Sequence, residues 1–532
     1  MVRLLTDGKY LIILFKFDKD IINFIKEKLP IAAYDPSRKK WITPLTLDAF
    51  YRVRKAFPDS CIDSSLSNYN WEESDKNIPI IYTPPASFKP WKHQITTFET
   101  CIKNKQWGVF NYMRTGKTLT VLMVLDYLFK AGKIRKAIII APSRVIPLGW
   151  QQDATEHFPW LMPELIKKKK ILSETGVFII DWEMIKLFDT IKFDFDAVII
   201  DESAKIRNTA TKRFMVLRKY LPTKYTYILS GIPAPNTPLE YFAQFYIMDG
   251  GKTFGVNQYE FLKEHAVKGK YKWYVTKDGF RKIKEKVVSR SIRFELRDCI
   301  DLMPNTILYR EVELDPEHYS AYKTLLDENK LMMSSGEITI SNILTKTGKL
   351  LQAASGYVYA NKNTYTLSKS NGKVEALKEI FEEEIGKNAQ VILYAYYKAQ
   401  IEHIYQELSK EYTISLAYGD SHSKLDLERF LHGSNQILLA NPESIGYGLT
   451  FTNAEGTIWF APIYDYEIFD QARIRIMGAS QKKPTWEMFM YAKDTVELKI
   501  YQGLIAKKNI SDIVLNAVKN KDIKKRLEGV YQ

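Results

Sequence analysis

The sequence predicts an α/β protein with two similar lobes, each built on a parallel sheet, and a small α+β domain at the N-terminus. Two observations lead to this fold class. Short apolar runs alternate with helical stretches along most of the chain, which is typical of parallel sheets covered by helices on both faces. The length of 532 residues corresponds to about three domains at roughly 150 residues each.

The N-terminal domain is predicted over residues 1–78. The run from Tyr10 to Phe17 has the pattern of a strand, and an amphipathic stretch follows from Asp20 to Leu29. Asp35-Pro36 starts a turn, and Trp41 begins the next strand. Prolines between residues 79 and 90 then interrupt regular structure, which places the boundary between residues 72 and 85.

The first lobe is predicted over residues 79–250 and the second, with C-terminal helices, over residues 356–532. A basic and aromatic region at 251–355 separates them. The apolar runs predicted as strands are Trp107–Asn111, Lys136–Ala141, Val177–Ile180, Ala197–Ile200 and Tyr225–Ser230 in the first lobe, and Gln390–Ala395, Ile414–Ala417, Gln436–Ala440 and Thr457–Phe460 in the second.

The composition favours a polyanionic partner. Lys and Arg number 77 against 62 Asp and Glu, which gives a formal net charge of +15. Cys61, Cys101 and Cys299 lie far apart, without metal-ligand spacing or a disulfide framework, as in a reducing compartment. No apolar span reaches the roughly 20 residues that cross a membrane. We therefore expect a soluble, cytoplasmic protein without membrane contact.

A phosphate-binding loop is predicted where the first strand of the first lobe meets a helix. Backbone amides around Arg114, Thr115 and Gly116 surround the phosphates, Lys117 neutralises them, and Thr118 can hold Mg²⁺. The strict pattern has glycine at position 111, where this chain has asparagine. This loop predicts binding of a nucleoside triphosphate.

An apolar strand ending in two carboxylates follows about 80 residues later in the chain. It runs from Asp196 to Asp201 and Glu202. In this interpretation Asp201 holds Mg²⁺ through water, and Glu202 polarises the water that attacks the nucleotide. The order of the two segments favours hydrolysis of the bound triphosphate.

Further segments in the same order resemble the motifs of superfamily 2 helicases, specifically the DNA translocases of the Swi/Snf type. These segments are His93-Gln94 after Phe88 and Trp91, Ala141-Pro142-Ser143 with Trp150, Asp201-Glu202-Ser203-Ala204, Leu229 to Asn236, Asn441 to Thr450, and Gln471 to Gln481. The resemblance covers residues 85–510. It implies two RecA-like lobes, ATP and Mg²⁺, and double-stranded or branched DNA as the partner, and we expect a monomer.

The resemblance also implies a role for individual residues. The catalytic residues would be Lys117, Asp201, Glu202, Gln471 and Arg475; ATP would contact Trp91, Gln94, Arg114, Thr115, Gly116, Lys117 and Thr118; Thr118 and Asp201 would hold the metal; Ser230, Gly231, Gly446 and Gly448 would couple hydrolysis to movement; and Trp41, Ser143, Trp273 and Asn236 would contact DNA. In this scheme Gln94 reads adenine, while Gln471 and Arg475 close from the second lobe.

Two segments allow a second interpretation. Tyr34-Asp35-Pro36, Lys40-Trp41 and Pro44 resemble the HepA-related domain of annealing helicases, but Trp41 can equally be a core aromatic residue and Asp-Pro an ordinary turn. Residues 265–286 combine lysines with aromatic residues, so they can guide a DNA strand by phosphate contacts and stacking. The alternative is a basic surface hairpin with Trp273 packed inward.

Three residues depart from the family pattern. Arg114 replaces a glycine of the phosphate-binding loop, Ala204 replaces the usual histidine of the acidic segment, and Gly478 replaces a second arginine. Positions 475 and 478 share one face if the segment is helical, whereas Arg473 would point the opposite way. The sequence therefore predicts slow, DNA-stimulated ATP hydrolysis.

The predicted function is an ATP-dependent DNA translocase in fork remodelling, branch migration, recombination or repair. One alternative is a remodeller that displaces proteins from duplex DNA. Another is a DNA-binding clamp or scaffold that does not hydrolyse ATP, which the residues at positions 204 and 478 would suit.

Overall fold

The computed structural model describes residues 2–506 apart from residues 8–9, 30–31, 37–38, 46, 68–81, 169–171, 271, 329, 334–335, 340–342, 361–362, 369–370, 387, 420–423, 446–449 and 479–480. The chain divides after Glu295 into two compact units, which are described separately. The predicted boundary at residue 78 and the part of the predicted C-terminal helices beyond residue 506 lie outside the described residues. No helix within the described ranges is long and apolar enough to cross a membrane.

The first unit begins with a small α+β module. Its five strands have the order β3-β4-β2-β1-β5. The strands are β1 Arg3–Thr6, β2 Tyr10–Leu14, β3 Ala33–Asp35, β4 Lys40–Pro44 and β5 Cys61–Ile62, and the helices are α1 Lys19–Lys28, α2 Leu47–Ala56 and α3 Ser64–Ser67. The predicted strand at Tyr10, the amphipathic helix and the strand at Trp41 are confirmed.

Alternation along β2 explains how this module packs. Leu11 and Ile13 point to one face of the sheet, where they join a buried cluster with Ile21 and Ile25 of α1. Asp18 starts the helix because its side chain accepts from the amides of the first turn.

The rest of the first unit is a seven-stranded parallel sheet covered by helices. Its strand order is β14-β6-β11-β10-β7-β9-β8. The strands are β6 Gln106–Val109, β7 Lys136–Ala141, β8 Glu164–Leu165, β9 Gly176–Asp181, β10 Ala197–Ile200, β11 Tyr225–Leu229 and β14 Ser291–Ile292, and a separate hairpin consists of β12 Ala266–Lys268 and β13 Trp273–Val275. The helices are α4 Lys92–Lys103, α5 Lys117–Lys130, α6 Gln152–His157, α7 Lys212–Leu217, α8 Tyr241–Asp249, α9 Gln258–His265 and α10 Lys277–Ser289.

The predicted region 251–355 is divided between the two units rather than forming a region of its own. Phe254, Phe261, Ile283 and Val287 pack into the core of the first unit. β14 then pairs in parallel with β6 at the edge of the first sheet. The predicted boundary at residue 251 therefore differs from the structural division after Glu295, because apolar residues beyond 251 are needed to complete this core.

The second unit contains a six-stranded parallel sheet of order β15-β24-β23-β20-β22-β21. Its sheet strands are β15 Asn305–Val312, β20 Val391–Tyr394, β21 Ile414–Ala417, β22 Ile437–Ala440, β23 Gly456–Trp459 and β24 Thr485–Ala492, and two antiparallel ribbons pair β16 Lys330–Met333 with β17 Gly336–Thr339 and β18 Tyr357–Ala360 with β19 Asn363–Thr366. Its helices are α11 Leu296–Cys299, α12 Pro316–Glu328, α13 Ile343–Ala354, α14 Gly372–Glu379, α15 Lys398–Leu408, α16 Lys424–Leu431 and α17 Tyr466–Arg473, and residues 497–506 are also helical.

The parallel sheets confirm the predicted fold class, and every predicted strand of the two lobes is present within two residues of its predicted ends. Four sheet strands were not predicted. β8 and β14 contain only two residues each, too short for a pattern. β15 is an edge strand with mostly exposed side chains, and β24 interrupts its apolar residues with Glu487. β15 therefore shows no continuous apolar run, whereas the apolar run Met488–Ala492 of β24 was not assigned to a strand.

Candidate active site

The loop between β6 and α5 has the geometry of a phosphate-binding loop. β6 ends at Val109 and α5 begins at Lys117. Gly116 lies between them in the left-handed region, with φ of +72°. This conformation favours glycine, and a Cβ here would lie 2.3 Å from Nε2 of Gln94, which would have to move. No described side chain caps the start of this 14-residue helix, and the first amides of a helix favour binding of an anion.

Lys117 is oriented by the backbone of this loop. Its Nζ donates to the carbonyl oxygen of Asn111 at 3.0 Å and to that of Tyr112 at 3.1 Å. Burial lowers the pKa of Lys117, whereas the charges of Glu202 and Asp201 favour its protonated form. The structure thus brings together the three charged residues that the sequence assigns to nucleotide hydrolysis in this unit.

The unusual residues of the loop are accommodated locally. Asn111 is buried, and its Nδ2 donates to Oγ1 of Thr97 at 2.9 Å. Its Oδ1 accepts from the backbone amide of Phe294 at 3.1 Å. Arg114 has a φ of +63°, a conformation that costs a residue other than glycine roughly 1–2 kcal/mol. This cost explains why a glycine suits position 114 better than an arginine.

The side chain of Gln94 is bonded within the protein. Its Oε1 accepts from the amide of Trp91 at 2.7 Å, and its Nε2 donates to the carbonyl of Gly116 at 3.2 Å. Reading an adenine edge would require Gln94 to exchange at least one of these bonds. The sequence interpretation gave no role to His93, whose Nε2 donates to the carbonyl of Thr115 at 2.7 Å, and burial lowers the pKa of this imidazole.

Two indoles hold the acidic residue at the end of β10. Nε1 of Trp150 donates to Oδ2 of Asp201 at 2.9 Å, and Nε1 of Trp182 donates to its backbone carbonyl at 3.1 Å. Burial raises the pKa of Asp201, while the Trp150 bond and the charge of Lys117 act in the opposite direction. Glu202 lies in the left-handed region with a φ of +52°. The sequence grouped Trp150 with the segment Ala141-Pro142-Ser143, and the structure buries its side chain against Asp201.

The Trp150 bond gives a testable expectation for ATP hydrolysis. Trp150→Phe keeps the aromatic ring but removes the donor to the Asp201 carboxylate, a bond of the charge-assisted kind worth about 1.5–3 kcal/mol. We expect kcat to fall by about tenfold or more. Steady-state phosphate release measures it.

Trp182→Phe is the matched control because its indole donates to a backbone carbonyl rather than to the carboxylate. We expect a smaller loss of kcat in this variant. Equal kcat in the two variants, with melting temperatures also equal, would contradict a specific role of the Trp150 indole.

The predicted coupling segment after β11 contacts the phosphate-binding loop. The amide of Ser230 donates to the carbonyl of Val109 at 3.3 Å. A Cβ on Gly231 would lie 2.7 Å from Cγ of Met113 and 3.3 Å from its amide nitrogen, so glycine permits this close approach. A displacement of the loop would therefore be transmitted directly to Gly231.

A glutamine that the sequence interpretation missed joins the acidic segment to the coupling segment. Oε1 of Gln244 accepts from Oγ of Ser203 at 2.7 Å, and its Nε2 donates to the carbonyl of Pro233 at 2.5 Å. Ala204 is buried beside Ser203. The signal in the sequence is a single amide among the apolar residues Tyr241–Met248 of helix α8, whose residues are almost all buried.

Arg293, which follows β14, was also missed. Its guanidinium is buried and donates to the carbonyls of Phe110 at 3.0 Å and Gly231 at 2.9 Å. Its Nε donates to Glu295 at 2.7 Å. The signal was a lone arginine between the apolar residues Ile292 and Phe294. The site in the first unit therefore includes a side chain that lies about 180 residues beyond the loop in sequence.

The expected helical geometry around Arg475 is wrong. α17 ends at Arg473, a short 3₁₀ helix covers Ile474–Ile476, and Met477 is extended with φ of −94° and ψ of 140°. Positions 475 and 478 therefore do not share one helical face. Arg473 is unable to replace a missing arginine for a different reason: its guanidinium forms a buried pair with Glu487, with Nε at 2.8 Å and Nη2 at 2.5 Å from Oε2.

The other predicted site residues of the second unit are only partly described. Gln471 and Arg475 are nearly buried, and Nε2 of Gln471 lies 3.5 Å from Oε1 of Glu467. Gly446 and Gly448 lie outside the described residues. The roles assigned to these residues remain predictions.

The residues predicted to contact DNA differ in exposure. Ser143 and Asn236 are exposed, and Nδ2 of Asn236 donates to Glu240 at 3.0 Å. Trp41 is half-buried against the core of the N-terminal module and lies 5.7 Å from the ring of Tyr34. Its packing is compatible with the core interpretation of this tryptophan.

In the hairpin β12–β13, Tyr274 is exposed, whereas Trp273 is half-buried. The ring of Trp273 lies 6.2 Å from that of Tyr259, so it packs toward α9. Tyr274 is 52% exposed, and Nζ of Lys272 lies 5.1 Å from its ring. Its cross-strand partner Val267 is 58% exposed. The outward side of this hairpin is therefore aromatic, aliphatic and basic.

The loop and the carboxylate are suited to a nucleotide with Mg²⁺. At the start of α5, Gly116 brings the loop close to Gln94, and Lys117 carries a charge that Asp201 and Glu202 favour. In the described part of the chain no three His, Cys, Asp or Glu side chains are grouped as metal ligands. Mg²⁺ takes one or two carboxylates and completes its shell with water and phosphates. Thr118 and Asp201 are the residues proposed to hold it.

The match to known proteins covers the phosphate-binding loop, the acidic segment and the coupling segment. Residues 93–356 match the SNF2-related domain. The chain is 24% identical over 467 residues to the putative protein p41 of Acyrthosiphon pisum secondary endosymbiont phage 1, which covers 81% of this chain and 99% of that protein. It is 24% identical over 446 residues to an uncharacterized ATP-dependent helicase of Mycoplasma pneumoniae, which covers 77% of this chain and 41% of that protein.

A third relative is the DNA repair and recombination protein RAD54-like of Drosophila ananassae, 21% identical over 78% of this chain and 61% of that protein. The chain thus spans less than two thirds of the Mycoplasma and Drosophila relatives. A solved structure of the Sulfolobus solfataricus SWI2/SNF2 ATPase core in complex with dsDNA aligns with 84% of this chain and 98% of that chain, at 19% identity and a TM-score of 0.41.

Proposed function

We infer from the match of residues 93–356 to the SNF2-related domain that the chain is a Swi/Snf-type ATPase of helicase superfamily 2. We propose that it uses ATP hydrolysis to move along double-stranded or branched DNA. The observation that carries the proposal is the contact between the phosphate-binding loop and the coupling segment, where Gly231 lies against Met113. A change at the nucleotide would displace a segment beyond the nucleotide site itself.

In the proposed mechanism the residues of the first unit bind and activate the nucleotide. Amides of the loop and Nζ of Lys117 bind the phosphates, exchanging the carbonyls of Asn111 and Tyr112 for phosphate oxygens. Mg²⁺, held by Thr118 and Asp201, would neutralise charge on the phosphates. Glu202 accepts a proton from the attacking water. Trp150 and Trp182 fix the strand end that carries both carboxylates.

DNA as the substrate is supported by charge and by the relatives. The formal net charge is +15, which favours binding to a phosphate backbone with little sequence preference and strong salt dependence. One relative is named a DNA repair and recombination protein and another a chromatin remodeling factor. We propose that Tyr274, Val267 and Lys272 of the hairpin form one DNA contact, with phosphates near the lysine and bases on the ring.

Two narrower functions are compatible with this site. The resemblance of the N-terminal module to the HepA-related domain favours fork remodelling, branch migration, recombination or repair. The chromatin remodeling factor mit1 of Schizosaccharomyces pombe, 20% identical over 88% of this chain and 36% of that protein, favours displacement of proteins from duplex DNA. Ala204 and Gly478 motivate the third possibility, a DNA-binding clamp without hydrolysis.

Steady-state ATP hydrolysis with no DNA, single-stranded DNA, duplex and a fork tests the proposal. We expect stimulation by duplex and a larger stimulation by the fork. Equal stimulation by duplex and fork favours the protein-displacing remodeller. Salt-sensitive DNA binding without hydrolysis on any substrate would contradict the translocase and support the clamp.

The hairpin contact is tested in the same assay. Tyr274→Ala is expected to raise the DNA concentration for half-maximal stimulation by about fivefold or more, because base stacking on an aromatic ring contributes about 1–3 kcal/mol. Tyr405→Ala, an exposed tyrosine on α15, is the matched control and should behave as wild type. Equal half-maximal concentrations for the two variants would contradict the hairpin contact.

A further inference from the structure

We infer that Arg293 is a positioning residue that transmits the response to DNA into the nucleotide site, by tying the phosphate-binding loop to the coupling segment. The inference rests on the proposed function. It concerns how stimulation by DNA reaches the nucleotide, and it assigns this task to a residue outside the family motifs recognised in the sequence.

The first step is the geometry of the guanidinium. One nitrogen, Nη1, donates to Phe110 at the start of the loop and to Gly231 in the coupling segment, at 3.0 and 2.9 Å. Phe110 and Gly231 are 121 residues apart in the sequence, and the guanidinium of Arg293 links their carbonyls through a single nitrogen. Arg293 is 1% exposed, so water does not compete for either carbonyl.

The second step is the path of the backbone around Arg293. The amides of Gly108, Phe110 and Tyr112 donate to the carbonyls of residues 290, 292 and 294 at 3.1, 2.8 and 2.8 Å. The segment therefore follows β6 and continues beside the start of the loop. Glu295, which accepts from Nε of Arg293, is the last residue before the chain passes into the second unit.

The third step is the reason why position 293 has an arginine rather than an apolar residue. A buried charge is costly, and an apolar side chain of similar volume often fills such a position at equal or better stability. Stability alone therefore gives little reason for an arginine here. A planar guanidinium has five donors in a fixed arrangement, which allows it to bond the carboxylate of Glu295 and both carbonyls at once. An apolar residue would remove this link and leave the Ser230–Val109 hydrogen bond and the contact of Gly231 with Met113 between the loop and the coupling segment.

The effect of Arg293 is measured as the ratio of duplex-stimulated to basal kcat. Arg293→Met combined with Glu295→Gln removes the guanidinium without leaving a buried unpaired carboxylate. We expect the ratio to fall about tenfold, within the usual range of coupling between sites. The Kd of a fluorescent ATP analogue should stay within about threefold of wild type, since the amides and Lys117 remain.

Arg293→Lys is the conservative variant, and its ammonium can reach a carbonyl but lacks the planar fork. It should retain part of the ratio and fold as wild type in a thermal melt. A wild-type ratio in both variants would overturn the inference while leaving the translocase intact. A proportional fall of basal and stimulated kcat, which is what a merely structural role predicts, would also overturn it. No stimulation of the wild-type protein would instead contradict the proposed function.

Discussion

Lys117→Ala is expected to lower the kcat of ATP hydrolysis by about 10² to 10³, because removing one preorganised charge at the reacting group typically costs about 2.7–4 kcal/mol. Nζ of Lys117 lies at the loop carbonyls of Asn111 and Tyr112, and the carboxylates of Asp201 and Glu202 favour its charge. Phosphate release in the presence of saturating duplex measures the loss. DNA binding without nucleotide should change little, since this lysine belongs to the loop.

Lys130→Ala is the matched control for Lys117→Ala. Lys130 is the last residue of the same helix, and its Nζ pairs with Asp126 at 2.8 Å. The control removes an equal charge from α5 at the end remote from the loop. We expect its kcat to lie within about twofold of wild type, because this residue is remote from the loop and Asp126 keeps its hydrogen bonds from Tyr82 and Trp160. Similar losses in the two variants would show that the lysine at position 117 has no special role.

Lys373→Met is expected to reduce the free energy of unfolding by about 3–5 kcal/mol, the usual result of breaking a buried ion pair. Nζ of Lys373 lies 2.9 Å from both carboxylate oxygens of Glu497, and both side chains are fully buried. Burial raises the pKa of Glu497 and lowers that of Lys373, while each charge stabilises the other. The midpoint of the urea transition, followed by circular dichroism, measures the change.

Two further variants separate the buried charge from other effects. Lys373→Met with Glu497→Gln leaves no unpaired charge, so it should recover most of the lost stability. Lys378→Met, on the same helix, removes a partly exposed lysine that lies 2.7 Å from Glu407, and should change the free energy of unfolding by less than about 1 kcal/mol. A wild-type midpoint for Lys373→Met would contradict the account of this pair.

The sequence was sufficient for the parts of the fold that have regular patterns. The β10 run from Ala197 to Ile200 is apolar on both faces because helices cover both sides of its sheet, so the pattern alone predicts a parallel strand. The edge strand β15 could not be found in this way, since most of its side chains are exposed. Burial creates the pattern on which the prediction depends.

The nucleotide loop was also predictable, because Gly116 and Lys117 are adjacent in sequence and act together. Arg293 was not, since its role depends on two carbonyls that only the fold brings beside it. Backbone carbonyls carry no sequence signal. The same reason hides the link from Ser203 through Gln244 to Pro233.

The helical reasoning about Gly478 failed because a local feature interrupts the helix. The α-helix ends at Arg473, whose side chain donates to the carboxylate of Glu487. The same carboxylate accepts from the indole of Trp459. The change to a 3₁₀ turn at Ile474 and an extended Met477 then alters the direction of the following residues. Spacing of three residues predicts a shared face only within a continuous helix.

The central claim is that ATP hydrolysis moves the protein along duplex DNA, and displacement of a third strand from a DNA triplex tests it most directly. The protein is loaded on a duplex arm, and release of a labelled third strand downstream is followed with ATP, with ADP and with the Lys117→Ala variant. The account predicts release with ATP only, and none with the variant. Duplex-stimulated ATP hydrolysis by wild type without release of the third strand would contradict translocation.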